Sequence, residues 1–355
     1  MRSRLLDLLA CPACRGRLVM ALPSSPPADR GRRGDDEIQN GTLACTGCGA
    51  GYPVQEGVPC LLPGGDAGNG GDAGRLRLRT ARFYGYGWRH SSGNPRVAVG
   101  YEAHFDMVAE EVPRQVFEQG VVLDAGCGGG RDLRAMASRW PDIEFVGVDL
   151  SEGVYTAQER VAGLPNAHVV RGDLLALPFG QGQFDTVYSY GVLHHTVNPA
   201  AGLAELVRVA KPGGRIVTYV YEDFSHSRLG SRLVAMEHAV RRMASRLPPG
   251  MLYTLCVLAA PLVFLGFTLP ARVLRRLAIT RPLAERLPFR HALTPRSLIG
   301  DLYDRFVPVC YRFSREAIVG LYRDLGLAEV GTVRRRGWIT WGCKRATPAA
   351  RQRIG

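Results

Sequence analysis

Between residues 121 and 221 the apolar positions fall into short continuous runs instead of strict alternation. Val121–Leu123, Ile143–Val148, Ala167–Arg171, Phe184–Tyr190 and Arg215–Tyr221 each run for a few residues and then meet a polar residue or a glycine. Runs of that length predict strands covered on both faces, as in a parallel sheet. Glu152–Ala162 and Ala200–Ala210 lie between them and carry helical periodicity. Strands alternating with helices at this spacing predict a doubly wound α/β fold. Further along, Ser314–Leu325 predicts a helix with Ser314 as its N-cap. Leu327–Arg334 and Gly337–Lys344 then predict a closing pair of strands.

Other stretches depart from this pattern and divide the chain. Residues 1–63 hold two cysteine pairs, and 64–80 open with GGDAGNGGDAG, which reads as a flexible linker. The α/β core then occupies 81–222 and resumes at 314–346, with an insert at 223–313. Within the insert, Leu247–Ala271 contains no charged residue, a length sufficient to cross a bilayer. Pro248, Pro249, Pro261 and Pro270 argue against one straight spanning helix. A span would also separate the sheet from its last two strands. The expectation is a helical lid over a substrate pocket, with membrane-surface contact through 247–271 as the alternative.

Composition adds charge asymmetry. The chain has 355 residues, 46% hydrophobic and 22% charged, with a formal net charge of +13. Residues 224–355 carry 23 basic and 7 acidic side chains, whereas 101–223 carry 9 and 17. So basic a final third suits a solvated surface, an anionic substrate, a membrane surface or nucleic acid. Met1–Arg4 is followed only by Leu5-Leu6 before Asp7, which is no signal peptide. With the cysteine usage this predicts a reducing, cytoplasmic setting.

Two chemistries stand out. Cys11-Pro-Ala-Cys14 and Cys45-Thr-Gly-Cys48 present four thiolates that together close a tetrahedral zinc site, leaving no position for water. The loop between them holds Pro23, Pro26, Pro27 and the charged run Asp29–Glu37. The second is the glycine-rich turn after Val121–Leu123, in VVLDAGCGGGRD, which brings backbone N–H groups close to a ligand at a helix start. Acids end the neighbouring strands: Asp124, Asp149 and Asp173. Asp149 stands where a carboxylate accepts from two ribose hydroxyls, an arrangement a nicotinamide dinucleotide would share.

The words LDAGCGGG, VDLS, GDLLALPFGQGQFDTVYSYGVLHHT and LVRVAKPGGRIV, in this order, resemble the class I S-adenosylmethionine-dependent methyltransferases. LLDLLACPACRGRL and LACTGCGAGYPVQEGVPCLLP resemble the zinc ribbon of the tRNA-methyltransferase activator type. The resemblance implies a Rossmann-like seven-stranded sheet behind an N-terminal four-cysteine ribbon, with S-adenosylmethionine and zinc as cofactors. Carried over, Asp124 and the backbone of Ala125, Gly126, Cys127 and Gly128 hold the methionine end. Asp149 and Leu150 hold the ribose and flank the adenine. Asp173 and Leu174 read the adenine amine and its edge, and Tyr190 packs beside the sulfonium. His194 and His195 follow the fourth strand; either serves as a general base, His195 preferentially, or both shape the pocket. RFYGYGWRH at 82–90 closes over the site or anchors the segment before it. The implied reaction is methyl transfer to a lipophilic, potentially anionic small molecule such as a secondary metabolite, prenyl compound or quinone-like lipid. The alternative is an RNA methyltransferase using the ribbon to bind rRNA or tRNA.

Overall fold

The computed structural model describes residues 1–21, 38–63, 71–91, 103–113, 117, 120–276, 278–284, 287, 289, 292, 294–335 and 337–346. The loop between the cysteine pairs and residues 64–70 of the expected linker lie outside them. Eleven strands form one sheet: β1 (Leu18–Met20), β2 (Gly41–Cys45), β3 (Gly51–Gln55), β4 (Val58–Leu61), β5 (Val121–Ala125), β6 (Glu144–Asp149), β7 (Ala167–Gly172), β8 (Phe184–Tyr190), β9 (Ala210–Val220), β10 (Leu327–Arg334) and β11 (Trp338–Lys344). The core order is β7-β6-β5-β8-β9-β11-β10. Its first five strands are parallel, and β11 and β10 are antiparallel. Strand order reverses between β5 and β8, so a crevice opens at their carboxyl ends.

The expected seven strands are thus present, but the sheet does not end at β7. Strand β4 pairs in parallel with it, Cys60 opposite Arg171 and Leu61 opposite Gly172, and β3, β2 and β1 continue outward. The seven-stranded expectation is corrected to eleven. An unpaired β7 would leave a row of backbone donors and acceptors on an edge. Val58–Leu61 is buried throughout and completes them. Leu5, Leu18, Leu43 and Leu61 lie in the same apolar cluster as Leu123, Val146 and Val170.

A second correction concerns the linker. A helix runs over Asp72–Ser91 and so begins inside the stretch read as flexible. It is fixed by burial of Thr80 and Phe83 and by an ion pair from Arg77 to Asp173. The insert is helical: Arg228–Ala244, then Pro249–Val263, which passes through a π turn at Phe264–Thr268 into Leu269–Leu274, and Pro295–Asp304. The π turn lies between Pro261 and Pro270, neither of which has an N–H to give the helix ladder. Leu252, Cys256, Ala260, Leu298 and Tyr303 pack together with Phe83. The Phe83 and Tyr303 rings stack at 4.0 Å and 2°. The closing helix forms at Arg315–Asp324, with the Ser314 hydroxyl accepting from the Ala317 N–H at 3.1 Å.

Candidate active site and metal centre

The floor of the crevice is the turn after β5. Gly126 and Gly128 have φ of +94° and +51°, in the left-handed region that favours glycine. A Cβ at Gly126 would meet Val192 at 2.1 Å, and one at Gly128 would meet Trp88 at 2.6 Å. The turn does not offer the N–H groups expected of it. Gly126 and Cys127 donate to the Val148 carbonyl at 2.7 and 3.1 Å, and Gly128 donates to Asp149 Oδ2 at 3.0 Å. An anion would find these three donors already engaged. What the floor presents is acid. Asp124 is buried, and its Oδ2 has no hydrogen-bond partner. Burial, then Asp132 and Asp149, push its carboxyl well above the usual carboxylate range. Burial also raises Asp149, against the N–H bonds from Ser151 and Gly128. Asp132, which accepts from the Tyr188 hydroxyl at 2.8 Å, is pushed up to about 6, chiefly by burial. A cation with N–H donors would relieve all three.

Above this floor a cavity is lined by Gly126, Asp149, Leu150, Asp173, Leu174, Tyr190 and His195, together with Arg77, Thr80, Tyr84 and Trp88. The structure therefore brings together most of the residues expected from sequence. Asp124, Ala125, Cys127 and Gly128 are not among the residues that line the cavity; the Trp88 ring lies against Gly128. The Tyr190 ring is stacked between Tyr219 at 4.3 Å and His104 at 4.5 Å. Asp173 accepts from the Leu175 N–H at 3.0 Å and from the Arg77 guanidinium. No described residue of 223–313 lines this cavity. The cover is the helix Asp72–Ser91, and the insert packs against that helix through Phe83 and Tyr303. Residues 247–271, expected as a lid, do not line this cavity.

The two histidines have different surroundings. His195 lines the cavity, and its Nδ1 lies 2.7 Å from the Val309 carbonyl. A carbonyl only accepts, so Nδ1 carries the proton and the neutral ring keeps a lone pair on Nε2. Burial lowers its pKa, which keeps it neutral. His194 is fully buried away from the cavity, neither ring nitrogen has a partner, and burial drives its pKa well below the usual value. It packs between His195 and Tyr221.

A half-buried polar link joins cover, sheet and insert. Asp304 accepts from the Tyr84 hydroxyl at 2.8 Å and from the Tyr221 hydroxyl at 2.6 Å. Nothing in the local sequence marks Asp304 or Arg77. By contrast, the aromatic spacing of 82–90 does mark Tyr84 and Trp88.

In the ribbon, the Sγ atoms of Cys11, Cys14, Cys45 and Cys48 all lie within 4.8 Å of one another, with Cys14 and Cys45 at 3.4 Å and Cys11 and Cys48 at 3.7 Å. A zinc tetrahedron with sulfur bonds of about 2.3 Å has edges of about 3.8 Å, so the donor set fits that metal. Gly16 and Gly47 N–H groups reach the sulfurs of Cys14 and Cys45 at 3.4 Å, which favours thiolate.

The comparisons agree with this geometry. Residues 122–214 match the family model described as a methyltransferase domain, and residues 2–57 match the one described as Trm112p-like protein. The chain is similar to a ubiquinone/menaquinone biosynthesis C-methyltransferase of Geobacter sulfurreducens, at 36% identity over 33% of this chain and 47% of that one. It is also similar to a chloroplastic tocopherol O-methyltransferase of Arabidopsis thaliana, at 38% over 29% and 31%. The chain thus spans less than half the length of these two relatives. A solved Haloferax volcanii complex containing the Trm112 methyltransferase activator is 17% identical, with 73% of this chain and 97% of that one covered and a TM-score of 0.43. Residues 122–214 form a class I S-adenosylmethionine-dependent methyltransferase domain, joined in one chain to a Trm112p-like domain at residues 2–57.

Proposed function

We propose that this chain transfers a methyl group from S-adenosylmethionine to a lipophilic small-molecule acceptor, of the prenyl, quinone-like or secondary-metabolite class. The observation that carries the reading is the buried Asp124 carboxyl, whose Oδ2 has no hydrogen-bond partner, interacting with Asp149 in the wall of a cavity shared with Tyr84, Trp88 and Tyr190. An acidic floor suits the ammonium and sulfonium charges of that cofactor and disfavours a pyrophosphate. The similarity to quinone and tocopherol methyltransferases supports the acceptor class.

Bound S-adenosylmethionine supplies an electrophilic methyl group on sulfur, displaced in line by the acceptor atom. Asp124 would take the ammonium end. The carboxylate of Asp149 would accept from the ribose hydroxyls, and the remaining lone pairs of Asp173 would serve the adenine amine, with Leu150 and Leu174 as apolar neighbours. Tyr84 and Trp88 would exclude water, and Tyr190 would stand beside the reacting centre. The Nε2 lone pair of His195 takes the proton of an acidic acceptor hydroxyl. His194 holds the neighbouring ring in place. A metal closed by four thiolates has no open position, so the ribbon site is structural.

The Trm112p-like ribbon and the basic final third favour a second reading, RNA as acceptor. Both readings predict that Asp149→Ala weakens cofactor binding at least about tenfold by calorimetry, the loss expected for hydrogen bonds to a buried charge. Unchanged affinity removes the cofactor assignment. Radiolabelled methyl appearing in the organic-soluble fraction of a cell extract supports the lipophilic acceptor. Label confined to nuclease-sensitive, acid-precipitable material transfers the assignment to RNA.

A further inference from the structure

The apolar stretch of the insert is built with its large side chains facing outward. Met251, Leu255, Leu258, Leu262, Leu265 and Leu269 recur at intervals of three and four, so they share one helical stripe. All are exposed; Leu258, Leu262 and Leu265 keep 67%, 72% and 60% of their surface in contact with solvent. The buried positions are mostly small: Cys256, Ala260 and Ala271, with Leu252 the exception. A helix packed in a water-soluble domain has the reverse arrangement. Residues 249–274 are long and apolar enough to cross a membrane, and 22% of the most apolar window is buried. The preceding helix carries a shorter exposed stripe, Met236, Val240 and Met243.

Charge identifies the partner. No Asp or Glu occurs from residue 238 to 284, whereas seven arginines do. Arg242 and Arg246 stand before the apolar helix, and Arg276 and Arg281 stand after it, all exposed. An apolar stripe about 30 Å long with cations at both ends matches the plane of an anionic bilayer, with leucines among the acyl chains and guanidinium groups at the phosphates. Spanning is excluded by the fold. The other face of this helix packs against Pro295–Asp304 and the cover helix, and β10 and β11 return to the sheet after the insert.

We propose that the insert docks the protein flat on an anionic membrane surface through the stripe Met251–Leu269. The proposal stands apart from the identity of the acceptor, because its test contains none. Full-length protein is sedimented with vesicles of phosphatidylglycerol and phosphatidylcholine, and with vesicles of phosphatidylcholine alone. The expected result is tighter binding to the anionic vesicles by at least about tenfold, since each guanidinium near such a surface is drawn to the anionic headgroups. The double variant Leu258→Ser and Leu262→Ser is expected to lose binding while keeping the wild-type melting temperature, because both side chains are already exposed. Arg246→Glu with Arg276→Glu is expected to abolish the preference for anionic lipid. Equal binding to both vesicle types overturns the proposal, as does no binding to either. So does a stable dimer in light scattering that the leucine variant dissolves, which would make the stripe an interface between copies.

Discussion

Asp124 is buried and Asp132 and Asp149 are half-buried before any ligand compensates them, and loss of solvent raises all three carboxyls. A raised folded-state pKa means that the native protein binds the proton more tightly than the unfolded chain does. The ligand-free protein therefore loses stability as pH climbs from the ordinary value of 3.8 through the folded value, about 6 for Asp132. For that residue the loss is about 3 kcal/mol. His194 and His195 act in the opposite sense, since burial holds them neutral and protonation below their ordinary value of 6.5 is penalised. The clean reading is consequently a difference. Asp132→Asn keeps an acceptor for the Tyr188 hydroxyl, so its urea midpoint is expected to rise relative to wild type between pH 4 and pH 7. A constant offset across that range would show that Asp132 is not the titrating group. Asp124 and Asp149 were legible in the sequence, because each closes a strand, whereas Asp132, in the first turn of the helix after the glycine turn, was not singled out. Their protonation was not legible, since it depends on what the tertiary fold packs around them.

At the scale of elements, the helix Asp72–Ser91 decides how closed the site is. Its residues reach Asp173 through Arg77, Gly128 through Trp88 and Asp304 through Tyr84. The sequence pattern yields β8 and β10 to the residue, because strand periodicity and turn chemistry are local. It misses the start of this helix, where GGDAG reads as linker and RLRLRT alternates with a period of two. Asp304 escapes it for another reason: the Tyr84 partner lies 220 residues away, and no local pattern encodes the pairing. Asp304→Asn replaces a charged acceptor shared by two half-buried phenols, each such bond being worth about 1.5–3 kcal/mol. Hydrogen exchange over residues 77–88 is expected to accelerate by at least about tenfold as the cover loosens. Unchanged protection there would mean that the Phe83–Tyr303 stack and the Arg77 pair hold the helix without Asp304.

For the whole molecule, the ribbon is the outer end of the catalytic sheet, and that arrangement makes a remote metal matter to the cofactor. Two pairs join β4 to β7, and the second, Leu61 with Gly172, lies one residue from Asp173. Arg2 donates to the Leu164 and Pro165 carbonyls, Arg15 pairs with Glu205 at 3.0 Å, and the Ala10 N–H reaches the Pro178 carbonyl at 2.9 Å. The sequence identifies the ribbon and the core separately but not this joint, because Val58–Leu61 reads only as a short apolar run whose partner lies more than a hundred residues on. With one shared core, heat is expected to unfold both parts in a single transition. Zinc that holds the ribbon then contributes to the stability of the whole, as metal bound only by the folded state does. Cys14→Ser with Cys48→Ser removes two exposed ligands without opening the core. The variant is expected to lose its zinc, to melt in one transition at a lower temperature and to bind S-adenosylmethionine several-fold more weakly, since the strand that places Asp173 loses its outer neighbour. Two separate transitions, with the larger one and the cofactor affinity both unchanged, would show that the ribbon is an independent appendage on the sheet edge.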